Sequence, residues 1–229
     1  LVMPSELGAV TKIALVSDIH TVFVSKESGK YDVYKMYLDG KDREVLLAGT
    51  GLETARMAVL PSPKGDVVAV ASTREDTRNA DKYLLTQLTL VDTASGAATT
   101  IESAEQITFV GWHGDTIVYQ QTVAGTSAGN QNRQKVVAYD TKSDRRFQLV
   151  SANQLVGIQL IGNTLYAALS HTDTTLKSSF QKVDLDGTNK KTMYTGTIWA
   201  LARTGYKTMK LQTPEKWYDY SLGDSDVVE

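Results

Sequence analysis

Hydrophobic and polar positions along the chain follow a recurring order. An apolar run, a short polar turn and a second apolar run are followed by a polar excursion and a third run that alternates apolar and polar residues. Residues 58–92 show this order most clearly, with a turn that contains Pro61, Pro63 and Gly65 and a third run that ends at Asp92. Clusters of Gly, Pro, Asn and Asp between β-rich runs are typical of hairpin turns. The pattern therefore predicts antiparallel strands.

The order repeats five times. The second apolar run marks each copy and begins at Thr21, Val67, Thr116, Thr164 and Lys207, so the copies lie 46, 49, 48 and 43 residues apart. The first two runs of a copy are nearly continuous in apolar residues, as expected for strands covered on both faces. A short, polar fourth run closes the first four copies and suits a sheet edge. Four graded strands repeated about every 40 to 50 residues predict an all-β propeller of four-stranded antiparallel blades.

The predicted blades divide the chain into about five units that together form a single β-propeller domain over residues 1–229. They cover residues 11–48, 55–102, 106–151, 155–195 and 198–229. The fifth copy stops soon after its third strand, and residues 1–10 are available to pair into it and close the ring. Two architectures are open: a closed five-bladed ring, or a fragment of a six- or seven-bladed ring.

Two segments resemble a known family of repeats. LPSPKGDVVAVAS (60–72) and VSKESGKYDVYKMYLDGKDREVLL (24–47) are similar to the WD40-like (PD40-type) propeller repeats of the TolB family. The shared features are a proline turn, an apolar strand, an aromatic-rich strand and an Asp-Gly turn. The resemblance implies a bacterial, extracytoplasmic or membrane-associated protein that binds other proteins, and it carries no catalytic motif.

Composition narrows the function classes. A net charge of -2 and a pI near 6.0 give no electrostatic case for nucleic acid. The chain has no cysteine, which excludes disulfides and thiolate chemistry. No apolar run approaches the roughly 20 residues that span a bilayer, so we expect no membrane-spanning segment in this chain. We expect an extracytoplasmic protein, or one that is held at a membrane by an anchor segment outside this chain. A cytoplasmic location stays open.

Three long polar excursions, at residues 73–82, 122–133 and 171–178, share one face with the connections between blades. We call this the top face. They hold little apolar surface, so a partner is needed to order them. One interpretation is that they are solvated hairpin tips. The other is a polar recognition rim, whose predicted binding residues are Arg74, Glu75, Asp76, Arg78, Asn130, Arg133, His171 and Asp173.

The sequence offers little support for catalysis, metal or cofactor binding. His20 and His113 are predicted in turns on the bottom face and His171 on the top face, so they cannot converge on one metal ion. Ser170, His171 and Asp173 lie close in sequence, but neighbouring strand residues point to opposite faces, and no nucleophile elbow is present. The acidic segments 76–81 and 223–226 lack the glycine and glutamate of a calcium loop. We expect no catalytic residue, no metal and no cofactor.

The tryptophans are predicted to be mainly structural. Trp112 and Trp199 lie on or beside first strands, where large side chains would fill the wedge between blades. Trp217, Tyr218 and Tyr220 alternate on the last third strand, and an incomplete blade would expose them to a missing strand or a partner.

The leading hypothesis is a non-catalytic protein-interaction propeller that uses its top-face loops as a recognition rim. One alternative is a propeller that binds a carbohydrate or small ligand in a central pocket. Another is the propeller domain of a hydrolase whose catalytic part lies outside this chain.

Overall fold

The computed structural model describes residues 10–16, 20–27, 29–77, 83–123, 133–171 and 177–222. All regular secondary structure in these residues is β-strand, arranged in five antiparallel sheets. The chain forms two compact units, residues 1–108 and residues 109–229. The prediction of an all-β chain built from four-stranded blades is confirmed.

The first unit contains blades 1 and 2, and the strands of each sheet lie side by side in chain order. Blade 1 consists of β1 (Val10–Leu15), β2 (His20–Glu27), β3 (Lys30–Tyr37) and β4 (Glu44–Leu47). Blade 2 consists of β5 (Ala58–Pro61), β6 (Val67–Glu75), β7 (Leu84–Asp92) and β8 (Ala98–Ala104).

The second unit contains blades 3 to 5 and takes in β9 from Phe109 onward. Blade 3 consists of β9 (Gln106–His113), β10 (Thr116–Thr122), β11 (Gln134–Asp140) and β12 (Arg145–Ala152). Blade 4 consists of β13 (Gln154–Ile161), β14 (Thr164–Ser170), β15 (Ser179–Asp184) and β16 (Lys191–Thr195). Blade 5 has three strands among the described residues: β17 (Ala200–Gly205), β18 (Thr208–Gln212) and β19 (Trp217–Ser221). The segments predicted to complete it, residues 1–9 and 223–229, lie outside the described residues.

The second strand carries a run of buried residues in blades 1 to 4. In blade 5 only Met209 and Leu211 of β18 are buried, and in blade 3 the third strand β11 has four buried residues against three in β10. In β14 every residue except Ser170 is buried. Because successive side chains of a strand point to opposite faces, Leu165 and Ala167 join the apolar cluster shared with blade 3, whereas Tyr166 and Ala168 join the cluster shared with blade 5. An uninterrupted apolar run is therefore needed at this position.

A layer of valines holds blades 1 and 2 together. Val22 and Val24 of β2 pack in one cluster with Val68 and Val70 of β6, and all four are fully buried. Below this layer, the β5–β6 turn closes through hydrogen bonds from the Ser62 amide to the Val67 carbonyl (2.8 Å) and from the Ser62 hydroxyl to the Asp66 carboxylate (2.7 Å). The two blades are thus joined along one continuous apolar seam.

Several sequence predictions are wrong in detail. The first strands β9 and β13 keep partial exposure at most positions, so they are not covered on both faces. His20 and His113 lie in strands rather than turns, because β2 begins at His20 and β9 ends at His113. Trp199 is 58% exposed and fills no wedge, because it precedes the first residue of β17. On β19, Tyr218 packs on Tyr194 while Trp217 is exposed.

Candidate functional site

The connection between blades 1 and 2 (residues 48–57) runs back along the end of β6. The backbone of Glu53 forms an isolated antiparallel bridge with that of Arg74, and the Thr54 amide donates to the Thr73 carbonyl at 2.9 Å. Asp76, just beyond β6, donates its amide to the Tyr83 carbonyl at 2.7 Å, which closes the base of the β6–β7 hairpin. The connection and the hairpin therefore lie at the same end of blade 2, as chain direction predicted.

The connection is fixed by side chains of its own sequence. The Glu53 carboxylate accepts hydrogen bonds from the Thr50 amide and hydroxyl, both 2.8 Å, and from the Gly51 amide at 2.9 Å. Burial raises the pKa of Glu53, but these hydrogen bonds outweigh burial and hold it below its ordinary value. The Gly49 amide donates to the carboxylate of Asp32 at 2.7 Å, and a Cβ on Gly49 would lie 1.8 Å from the Tyr31 carbonyl oxygen. The connection is thus tied to both β3 and β6.

A cleft of about 340 Å³ opens where the connection meets the hairpin. Arg74, Glu75 and Asp76, three of the residues predicted from the sequence, line this cleft. Leu52 of the connection, which is 62% exposed, lines it from the side of β5. We call this site the blade-2 cleft.

The sheet register shows which residues form the floor of the blade-2 cleft. Arg74 pairs with Leu85 of β7, and Gln87 of β7 pairs with Ser103 of β8. Because alternate strand residues share a face, Arg74, Leu85 and Gln87 lie on the same face as Val70, which packs against blade 1. The cleft therefore sits directly above the valine layer and faces the top of the first unit.

Arg74 gives the cleft a positive charge that has no ion-pair partner among the described residues. Its side chain is half-buried, and it takes part in no ion pair or side-chain hydrogen bond with any residue of the described ranges. Glu75 and Asp76 each make an interaction of their own. A guanidinium presents five donors in a planar fork that matches a carboxylate, so Arg74 is available to an anionic group of a ligand.

Arg133 and His171, two further predicted site residues, do not line this cleft. Arg133 is exposed beside β11, where its carbonyl accepts the Val123 amide at 2.9 Å. His171 is half-buried at the end of β14, and its amide donates to the Ser178 hydroxyl at 3.2 Å. Both belong to the second unit. Arg78, Asn130 and Asp173 lie outside the described residues.

Sequence reasoning missed Leu52, Leu85, Gln87 and Ser103, which line the blade-2 cleft together with Thr77 of the predicted excursion 73–82. One available signal was Leu52 itself, an aliphatic residue in the polar segment AGTGLETAR that has no partner in the repeat. The other three depend on strand register, which the sequence pattern does not fix.

Two further observations concern chemistry and membranes. Within the residues that the structure describes, no group of three or more His, Cys, Asp or Glu side chains is placed to hold a metal ion. No helix suited by length and hydropathy to cross a membrane occurs among the same residues.

Comparison with known proteins confirms the fold. The chain is similar to the β-propeller domain of the trilobed protease from Pyrococcus furiosus, with a TM-score of 0.57 and 13% identity over 94% of this chain and 69% of that one. It is also similar to a prolyl endopeptidase, with a TM-score of 0.59 and 19% identity over 87% of this chain and 30% of that one. The chain thus spans less than a third of the length of that enzyme.

A TolB from Acinetobacter baumannii also matches, with a TM-score of 0.48 and 13% identity over 90% of this chain and 52% of that one. No protein-family model matches the chain, and no curated protein matches its sequence. The β-propeller fold rests on the similarity to the trilobed protease propeller and the prolyl endopeptidase, together with the five antiparallel sheets.

Proposed function

We propose that this chain is a non-catalytic protein-interaction propeller and that the blade-2 cleft is a contact point for its partner. The observation that carries the proposal is the combination, in one cleft, of an exposed aliphatic side chain, Leu52, with the guanidinium of Arg74, which has no ion-pair partner in the part of the chain that the structure describes. Protein interfaces are enriched in arginine and aromatic residues and surround them with apolar contacts.

The surroundings of the cleft favour a protein over a small ligand. Tyr83, just before β7, is 52% exposed, and its carbonyl accepts the amide of Asp76, which lines the cleft, so it adds exposed apolar surface close to the cleft. A cluster of exposed apolar side chains next to polar ones marks an interaction surface. The rim residues Arg78, Asn130, Arg133, His171 and Asp173 belong to the same proposal, as does an extracytoplasmic or membrane-anchored location in a bacterium.

A second candidate function is the propeller domain of a peptidase. It is favoured by the similarity to the propeller of the trilobed protease and to a prolyl endopeptidase, of which this chain matches only a part. In that case the catalytic residues lie on another part of the protein, and the blade-2 cleft contacts that part or the substrate polypeptide.

A pull-down tests the leading proposal. The chain is immobilised, exposed to a lysate of its source organism, and compared with a variant in which Leu52→Ser, Arg74→Gln and Leu85→Ser alter the cleft. We expect a discrete set of proteins to be recovered by the wild type and lost from the cleft variant, while Arg56→Gln, an exposed charge change outside the cleft, recovers them normally. Equal recovery by the folded cleft variant would remove the cleft from the proposal.

A further inference from the structure

We propose that the blade-2 cleft binds an extended segment of the partner protein through one acidic side chain with apolar residues on both sides. The inference rests on the proposed function and goes beyond it, because it specifies which part of the partner is recognised.

The charges in the cleft select a single carboxylate. A half-buried guanidinium without an ion pair among the described residues is stabilised most by a planar anion that it can bind with two parallel hydrogen bonds. Glu75 and Asp76 line the same cleft, so a phosphate dianion or a run of acidic residues would meet like charges there. One carboxylate at Arg74 meets less of this repulsion than a dianion or an acidic run does.

The apolar positions lie on either side of Arg74. Leu85 is its direct partner on β7, and Leu52 is next to Glu53, its partner in the connection. Neighbouring strands lie about 4.8 Å apart, so these three positions span about 10 Å. Residues i-2, i and i+2 of an extended segment share one face and span about 13 Å, so their side chains can reach all three positions. A segment that crosses the strands therefore meets an apolar, a positive and a second apolar position in turn.

This arrangement distinguishes an internal acidic side chain from a chain terminus. A terminal carboxylate bound at Arg74 has polypeptide on one side only, so it would leave either Leu52 or Leu85 without an apolar contact. An internal aspartate or glutamate with apolar neighbours covers both. Tyr83, two residues before Leu85 in the chain and 52% exposed, offers further apolar surface to a longer segment.

The test uses a fluorescent, acetylated and amidated heptapeptide that has leucine, serine, glutamate, serine and leucine at its centre and serine at both ends, because alternate residues of an extended segment share one face. Its binding to the whole chain is measured by fluorescence polarisation. Arg74→Gln is expected to weaken binding by about tenfold or more, since a hydrogen-bonded charge pair is lost. Arg74→Lys is expected to give an intermediate loss, because lysine cannot form the two-pronged pair. Arg56→Gln should bind as the wild type does, and thermal melts verify that each variant is folded.

A second peptide completes a double-mutant cycle. This peptide has glutamine in place of the glutamate. It should bind the wild type more weakly than the glutamate peptide by a similar factor, and the Arg74→Gln variant should bind both peptides equally. Equal loss of affinity for the two peptides on mutating Arg74 would overturn the inference, as would tighter binding of a peptide whose only carboxylate is its free C-terminus.

Failure of the inference is distinguishable from failure of the proposed function. If no peptide binds the wild type, or if apolar peptides bind without any preference for glutamate, the acidic-segment inference is wrong. The pull-down with the cleft variant then decides independently whether the cleft contacts a protein.

Discussion

Glu53 and Arg74 are backbone partners in an antiparallel bridge that joins the connection between blades 1 and 2 to the end of β6. The two residues have separate tasks. The Glu53 carboxylate is engaged by Thr50 and Gly51 and fixes the connection, while the Arg74 side chain lines the cleft. Because the bridge couples them, the structure of the connection decides where Leu52 lies relative to the guanidinium.

Replacing Glu53 by alanine is therefore expected to loosen the connection. Three hydrogen bonds to its carboxylate are lost, which should lower the free energy of unfolding by about 1 to 3 kcal/mol. Trypsin should also cut faster after the exposed Arg56, which lies in the same connection. Urea unfolding and timed digestion with mass spectrometry measure both effects. Glu215→Ala, at an exposed position before β19, is the control and should change neither.

Gly65 of blade 2 lies against Val16 of blade 1, so a side chain at position 65 should disturb the packing of the two blades. Gly65 has a φ of 71°, and a Cβ there would lie 1.6 Å from the Val16 carbonyl oxygen. Gly114 has a φ of 55° and no atom near the corresponding Cβ position, so it is a matched control. Gly114→Ala should cost only the backbone strain of about 1 to 2 kcal/mol. Gly65→Ala should cost about 3 kcal/mol or more, since overpacking is added.

Urea unfolding of the two variants compares these costs. Equal destabilisation would show that the blades do not approach each other at Gly65 as described.

The turn after β7 predicts a dependence of stability on pH. Hydrogen bonds from the backbone and side chain of Ser95, and from the Ala94 amide, lower the pKa of Asp92. Because the pKa is lower in the folded than in the unfolded state, this stabilisation is complete above the unfolded value near 3.9 and is lost as the pH falls through the folded value.

We therefore expect Asp92→Ala to lower the free energy of unfolding by roughly 1 kcal/mol near neutral pH. This is a small effect for the loss of hydrogen bonds to a carboxylate, because the turn is exposed to water. The difference from the wild type should shrink as the pH falls below about 4. Urea unfolding at a series of pH values measures it. A difference that stays constant down to the lowest pH would contradict the hydrogen-bonded carboxylate.

The strands could be predicted because the strands of each blade differ in burial in a similar order, which repeats along the sequence. The second strands, such as β6 and β14, are covered on both faces over much of their length, so their apolar runs recur every 43 to 49 residues. The exposure of Trp199 could not be predicted in this way. Its backbone amide still bonds to the Gln212 carbonyl at 2.8 Å, but β17 begins only at Ala200, and the apolar pattern does not fix such a boundary.

The cleft could be predicted only in part. Arg74, Glu75 and Asp76 are polar residues that follow a buried run, which marks the end of a strand and the start of a loop. Ser103 reaches the cleft because the β7–β8 register shifts by one residue between Leu88 and Thr89. Without this bulge, Glu102 would stand opposite Gln87 and would place a carboxylate there. A single-residue register shift leaves no mark in the hydrophobic pattern.

Site-specific photo-crosslinking tests most directly whether the blade-2 cleft contacts a partner protein. A benzoylphenylalanine is placed at Leu52, in the cleft, or at Val45 on β4, which is similarly exposed at 52% but does not line the cleft. The chain is then expressed in its source organism and irradiated. We expect a discrete covalent adduct with another protein from position 52, lost when Arg74→Gln is added, and none from position 45. Adducts of equal yield from both positions, or from position 45 alone, would contradict the account.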